Sequence, residues 1–404
     1  MNGIGHTHTY TRHVPALDGL RGYAALLVTF YHSILNVDPT LVDRAVMPAA
    51  TSVAAADLPA KLVLALFNGS AAVQLFYVLS GAVLCRSLLG MQWNLQGTGA
   101  FLARRLLRLY PALMLCILLM WLMFLAYSAC SVAGYPQING ELAWRNAFLI
   151  DTLVNNPSTS VQVELLATPF VLLFALAYRR FALAGAAVLL ALSLFAVEIH
   201  ALALNLPNMD AALLLFFAGM AVALPECRTV FADISGAGLA VLAALAFFAR
   251  QFLDLHALSG LFGEALLMAL LIGFVMHARV PTALHRLLEN RVSQYLGRVS
   301  YSYYLFNVPV LFFLWFTPPL SGFQQGANPL LCGLAVGLAS VLPTLALAHL
   351  AQAYCEQPCI NLGRKISALL QGPALEPALE PASEPTRVAA TAAATVVATS
   401  GAPT

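Results

Sequence analysis

Charge is what this chain has least of. Only 9% of its 404 residues are Asp, Glu, Lys or Arg, against 60% hydrophobic, and so few charges cannot cover the surface of a water-soluble globule of this length. The net charge of +2 is small and its basic residues are scattered, which gives no reason to expect a nucleic-acid partner. The seven cysteines form no Cys-x-x-Cys pair. Cys85, Cys116 and Cys332 fall in apolar runs, where cysteine behaves as a small hydrophobe, so neither a disulfide framework nor a bound metal is expected. Cys355 and Cys359, one helical turn apart, read as ordinary interfacial residues.

Long apolar runs are what the chain has in abundance. Stretches of spanning length cover residues 20–37, 69–89, 109–128, 160–178, 181–202, 210–224, 234–250, 258–277, 299–317 and 329–350. They predict an all-α integral membrane protein, a polytopic bundle of about ten transmembrane helices embedded in the lipid bilayer. The segment from Val46 to Phe67 is ambiguous between a loop and a partly buried helix. Basic residues set the orientation, because cytoplasmic loops retain Lys and Arg. With the N-terminus in the cytosol, sixteen of the 20 basic residues fall inside, and only Arg44, Lys61, Arg145 and Arg250 fall outside. Both termini are therefore expected to be cytoplasmic. Residues 1–16 read as a polar lead-in, 17–368 as the membrane domain and 369–404 as a disordered tail, where Ala-Leu-Glu-Pro repeats in a stretch that cannot bury a core.

The most informative stretch runs from Leu17 to Ser33. Asp18, Gly19 and Arg21 open directly into an apolar run that carries His32 eleven residues after Arg21. On a helix, eleven steps of about 100° return to nearly the same face, about 16 Å further along the axis. Arg21 would then sit near the membrane surface and His32 near the middle of a hydrocarbon layer about 30 Å thick. An ionisable residue at that depth is costly and marks a functional site by default. Read alone, His32 is equally a packed core histidine, and Arg21 equally a marker of the cytoplasmic end of the first span.

Six elements in order resemble the membrane-bound acyltransferase family 3, whose members include O-acyltransferases of bacterial polysaccharides, peptidoglycan and small glycosides. They are Leu17-Asp18-Gly19 with Arg21 and His32, then LFYVLSGAVL from Leu75 to Leu84, and RRLLRLYPAL from Arg104 to Leu113. SVQVELL from Ser160 to Leu166, LGRVSYSYYLFNVPV from Leu296 to Val310 and YCEQP from Tyr354 to Pro358 complete the set. The likeness runs from about Pro15 to Lys365. Two departures stand out. Thr159 replaces a family tryptophan, and Asn307 stands where many members carry a histidine, a group that hydrogen-bonds but takes up no proton at neutral pH.

The resemblance implies a multi-pass enzyme of the bacterial inner membrane that moves an acyl group, acetyl first of all, from cytosolic acyl-CoA to a hydroxyl of a carbohydrate such as a surface polysaccharide. No permanently bound cofactor is implied. His32 would act as the general base and Glu164 would orient it or hold the acceptor hydroxyl, both lying in the middle-to-outer part of the membrane. Arg21, Arg104, Arg105 and Arg108 would bind the donor, since guanidinium forks match phosphate geometry. Asp18, Tyr301 and Asn307 would contact substrate. Ser80-Gly81 reads as a close helix contact, and Glu356 as a surface partner of Arg364 and Lys365. The rival readings are a transporter or flippase with a buried His and Glu path, and an acyltransferase-like scaffold without activity.

Overall fold

The computed structural model describes residues 13–132, 134–252, 257–317 and 328–371. Among them the regular structure is helical throughout. Fifteen α-helices follow in chain order. The first four are α1 (Pro15–Val37), α2 (Leu58–Leu66), α3 (Gly69–Leu89) and α4 (Leu95–Ala129). Next come α5 (Gly140–Ala147), α6 (Ser158–Leu166), α7 (Thr168–Ala196), α8 (Met209–Val222) and α9 (Cys227–Val230). The last six are α10 (Gly236–Phe252), α11 (Ala257–His277), α12 (Ala283–Glu289), α13 (Arg291–Phe316), α14 (Pro329–Ala351) and α15 (Gln357–Gln371).

Among the described residues, six helical stretches are long and apolar enough to cross a membrane: Ala55–Leu89, Leu95–Ala129, Ser158–Ala196, Gly260–His277, Arg291–Phe316 and Pro329–Gln371. Met209–Val222 and Gly236–Phe252 are apolar but shorter. The ambiguous segment before Phe67 turns out to be mostly helical turns, ending in α2. The polar lead-in lies largely outside the described residues, as does the tail, although α15 continues to Gln371.

The run that the sequence divides between residues 178 and 181 lies within α7, yet it is not one straight rod. Ala182 has φ 50° and ψ −141°, and a Cβ on Gly185 would come within 2.3 Å of the Ala177 carbonyl oxygen. In a continuous helix those residues would be about 12 Å apart along the axis. The chain therefore turns back on itself just after Arg179 and Arg180, and the two halves of α7 are separate segments.

Two glycine contacts set the bundle around the site. A Cβ on Gly22 would overlap the backbone of Leu296 and Gly297, while one on Gly297 would overlap Asp18. Helices α1 and α13 thus run side by side at a distance that only hydrogen side chains allow, and in the same direction, since Asp18 meets Gly297 while further along both helices Thr29 lies beside Tyr303. Likewise Gly81 meets the Phe216 carbonyl and Gly219 the Val78 carbonyl, so α3 and α8 interlock with their chains opposed. The expected role of Gly81 as a helix contact is what the packing shows.

Proline supplies the local breaks. Pro309 in α13 cannot donate to the Leu305 carbonyl four residues back, and that oxygen instead accepts from Cys116 Sγ at 3.3 Å and Asn155 Nδ2 at 3.4 Å. The vacated backbone group becomes the point where α13 is tied to α4. Between α6 and α7 the Glu164 carbonyl accepts from the Arg105 and Thr168 side chains.

Candidate functional site

Helices α1, α3, α4, α6 and α13 enclose a hollow with two connected parts. The part toward α13 has about 70 Å³ of free space and is walled by aromatic side chains including Phe76, Tyr77, Tyr301 and Tyr304. The part toward α15 has about 220 Å³ and carries Arg104, Arg105 and Arg364. Arg21, Ser80, Arg108, Leu109 and Glu164 line both, so the two form one cavity with a cationic end and an aromatic end.

Of the candidate donor residues, Arg21, Arg104, Arg105 and Arg108 all reach this cavity. Arg105 is the most deeply held, 7% exposed. Its Nη2 lies 3.6 Å from Glu164 Oε1 and also donates to the Glu164 carbonyl. Its Nε is buried with no partner. Arg104 donates to Ser367 on α15, which pins that helix across the cationic end. Arg21 lies 3.6 Å from Asp18 Oδ1, one turn back on α1. Asp18 also receives His13 and does not line the cavity, so it holds Arg21 rather than facing the hollow.

Glu164 sits elsewhere than its sequence position predicts. The carboxylate accepts from Ser80 Oγ at 2.8 Å and faces Arg105, on the same level as Arg21. His32 is eleven residues further along α1, a rise of about 16 Å. Glu164 therefore does not orient His32, and it is not in the outer part of the bundle. The physical reason is compensation: a carboxylate among apolar helices is held where a guanidinium and a hydroxyl can satisfy it.

His32 is half-buried on α1 and packs edge-on against Tyr31, ring centroids 6.1 Å apart. It makes no hydrogen bond or ion pair among the described residues, and it is not part of the cavity wall. Because α1 and α13 run in parallel from the Gly22–Gly297 contact, His32 lies at about the height of Asn307. Asn307 is fully buried. Its Nδ2 donates to the Tyr304 carbonyl at 2.6 Å, while Oδ1 has no partner. Between this level and the cavity stands an aromatic pair: Phe76 packs edge-to-face on Tyr304 at 5.4 Å, and the Tyr304 hydroxyl bonds Ser160 at 2.8 Å. Tyr301 lines the cavity below and donates to the Leu109 carbonyl at 2.6 Å.

Two groups were not anticipated. Glu356 is 5% exposed and accepts from Ser302 Oγ at 2.8 Å, close enough to Arg108 and Arg21 to feel both charges. It is not the surface partner of Arg364, which donates to Asn361 instead. A one-turn π-bulge, Gln352–Glu356, turns the carboxylate inward. Ser80 is the other, a cavity residue as well as the neighbour of a packing glycine. The legible signal was the unbroken run of hydroxyl side chains from Ser300 to Tyr304 inside an apolar span: so many polar groups at membrane depth require a polar cavity beside them.

Chemically, the arrangement offers five guanidinium groups to an anion at one end, the half-buried Glu164 carboxylate with the Ser80 hydroxyl in the middle, and aromatic rings between the cavity and the level of His32. No curated protein and no solved structure is similar enough to match the chain. A family model described as an acyltransferase domain, that of the acyltransferase 3 family, matches residues 14–349. That match covers most of the chain and every element of the cavity except α15, and the protein belongs to the acyltransferase 3 family of membrane acyltransferases.

Proposed function

We propose that this membrane acyltransferase takes an acyl group, acetyl first of all, from cytosolic acyl-CoA and esterifies a hydroxyl of a carbohydrate such as a surface polysaccharide. The observation that carries the reading is the convergence of Arg21, Arg104, Arg105 and Arg108 on one cavity that tapers into an aromatic slot. A CoA donor has that shape: a polyanionic head and a slender arm ending in a thioester.

In this reading the phosphates lie against Arg104, Arg108 and Arg364, and the arm passes Arg21 and Ser80 toward Tyr304. The acceptor hydroxyl enters from the opposite side, at the height of His32 and Asn307. Its oxygen attacks the thioester carbonyl as His32 takes its proton. The C–S bond then breaks, and the thiolate receives that proton to leave as CoA. Glu164 keeps Arg105 and Ser80 in place around the arm. Rotation of the Phe76 and Tyr304 rings opens the slot to His32. The membrane domain sits in the bacterial inner membrane with ten spans and both termini in the cytosol, a topology supported by the one-sided distribution of Lys and Arg and by the chain reversal after Arg180.

Turnover of acetyl-CoA by the purified full chain, followed as free thiol release, tests the donor. Mass spectrometry of surface glycans from cells with and without the protein tests the acceptor. Thiol release that is no faster than in protein-free micelles, together with unchanged glycans, overturns the proposal.

A further inference from the structure

The family match ends at residue 349, yet the cationic end of the donor cavity is walled in part by α15, which begins at Gln357. Ile360 and Arg364 of that helix line the part with about 220 Å³ of free space, together with Phe101 and Arg104 of α4. The two helices are held closely there. Arg104 donates to Ser367 Oγ, and a Cβ on Gly363 would lie 3.3 Å from Arg104 Cα.

The positive charges of the cavity are offset unevenly. Arg105 faces Glu164, Arg21 faces Asp18, and Glu356 lies within electrostatic reach of Arg108 and Arg21. Arg104 and Arg364 form no ion pair among the described residues: the first is held by the Ser367 hydroxyl, the second by Asn361 Oδ1 at 3.3 Å. Neither α4 nor α15 contains an Asp or Glu. Neutral acceptors hold a guanidinium more weakly than an anion does, so a phosphate between the two helices would displace them.

The wall beside these arginines tells which phosphate compound fits. Leu84, Phe101 and Ile360 line the same part of the cavity, and a bare phosphate, or a phosphopantetheine that ends in one, has nothing to set against them. A nucleotide does. Its phosphates suit the guanidinium forks and its planar base suits an aromatic and aliphatic wall, while Arg21 and Ser80, shared with the aromatic end, leave a path for the arm.

We infer that α15 and the start of α4 form a subsite for the nucleotide end of the donor, in which Arg104 and Arg364 hold phosphate and the adenine lies against Phe101 and Ile360. The subsite makes the enzyme selective for acyl-CoA over acyl carrier protein, whose phosphopantetheine carries no nucleotide. The inference rests on the acyl-transfer reading above and adds the element that recognises the donor.

Calorimetric titration of the purified full chain in detergent with CoA or 4′-phosphopantetheine tests it without turnover. CoA should bind about tenfold or more tightly than phosphopantetheine, because it adds charge-assisted bonds at the nucleotide end. Adenosine 3′,5′-bisphosphate should displace CoA at a concentration where inorganic phosphate does not. R364Q should remove most of the difference and leave phosphopantetheine binding unchanged, and R364K should recover part of it, since the charge remains and the fork is lost. I360A, at a half-buried position, should weaken CoA severalfold and spare phosphopantetheine. Equal binding of CoA and phosphopantetheine, R364Q weakening both alike, or inorganic phosphate competing as well as the bisphosphate overturns the subsite. Equal binding in a protein that turns over acetyl-CoA overturns the subsite alone, whereas the predicted discrimination without acyl transfer upholds the subsite and overturns the acyl-transfer reading.

Discussion

The Arg105–Glu164 pair decides whether the cavity is a rigid scaffold, and a double-mutant cycle measures it. Arg105 Nη2 and Glu164 Oε1 are 3.6 Å apart, with the arginine side chain 6% exposed and the glutamate 28%. At an effective dielectric constant near 20, two unit charges at that distance attract by about 5 kcal/mol. Partial access of solvent to Glu164 reduces this, and the desolvation of Arg105 opposes it, leaving an expected coupling of about 1 to 3 kcal/mol. R105Q and E164Q should each destabilise the protein strongly, since each leaves an uncompensated charge, and the double variant should lose less than the sum of the two. Denaturant titration of the purified protein in detergent, read by tryptophan fluorescence, supplies the three differences. Additivity within about 0.5 kcal/mol would show that the two groups do not sense each other and would dissolve the account of how Glu164 is held.

His32→Ala should lower the rate of acyl transfer by about 10² to 10⁴ with normal insertion and melting, as loss of a positioned base does; a variant retaining a tenth of the wild-type rate would remove His32 from the mechanism and turn attention to Glu164 and Glu356. Gly81→Val puts a side chain where a Cβ already lies 2.1 Å from the Phe216 carbonyl oxygen, and thermal unfolding should show a loss of about 1 to 3 kcal/mol or more from forced separation of α3 and α8, whereas an unchanged melting temperature would contradict the interlock. A cysteine introduced near Gly134 should react with a membrane-impermeant thiol reagent from outside intact cells and one near Gln371 should not; the reverse pattern would invert the topology.

Much of the helical layout was legible because membrane spans announce themselves by length and apolarity, and the resemblance carried by residues from Leu17 to Pro358 led to the family that the match over residues 14–349 establishes. The assembly of the cavity was less legible. Arg21, Ser80, Arg108 and Glu164 come from four helices separated by tens of residues, and no periodicity within one helix reports contacts between helices. Glu164 was misplaced because its position in the fourth apolar run carries no mark of the Ser80 and Arg105 side chains, from two other helices, that hold it. Glu356 was assigned to the surface because it follows the last apolar run in sequence. The π-bulge that turns it inward leaves no mark in composition. The loss of histidine at Asn307 was visible at once, but that its Oδ1 is buried without a partner is a property of the packed bundle.

The central claim is that the arginine-lined cavity is the donor site, and the most direct test is the steady-state KM for acetyl-CoA in R104Q/R108Q against wild type, measured by thiol release from purified protein. Each charge-assisted hydrogen bond to a phosphate contributes about 1.5 to 3 kcal/mol, so the account predicts a KM raised tenfold or more, with kcat changed much less. An unchanged KM in a protein that folds and turns over normally would contradict it.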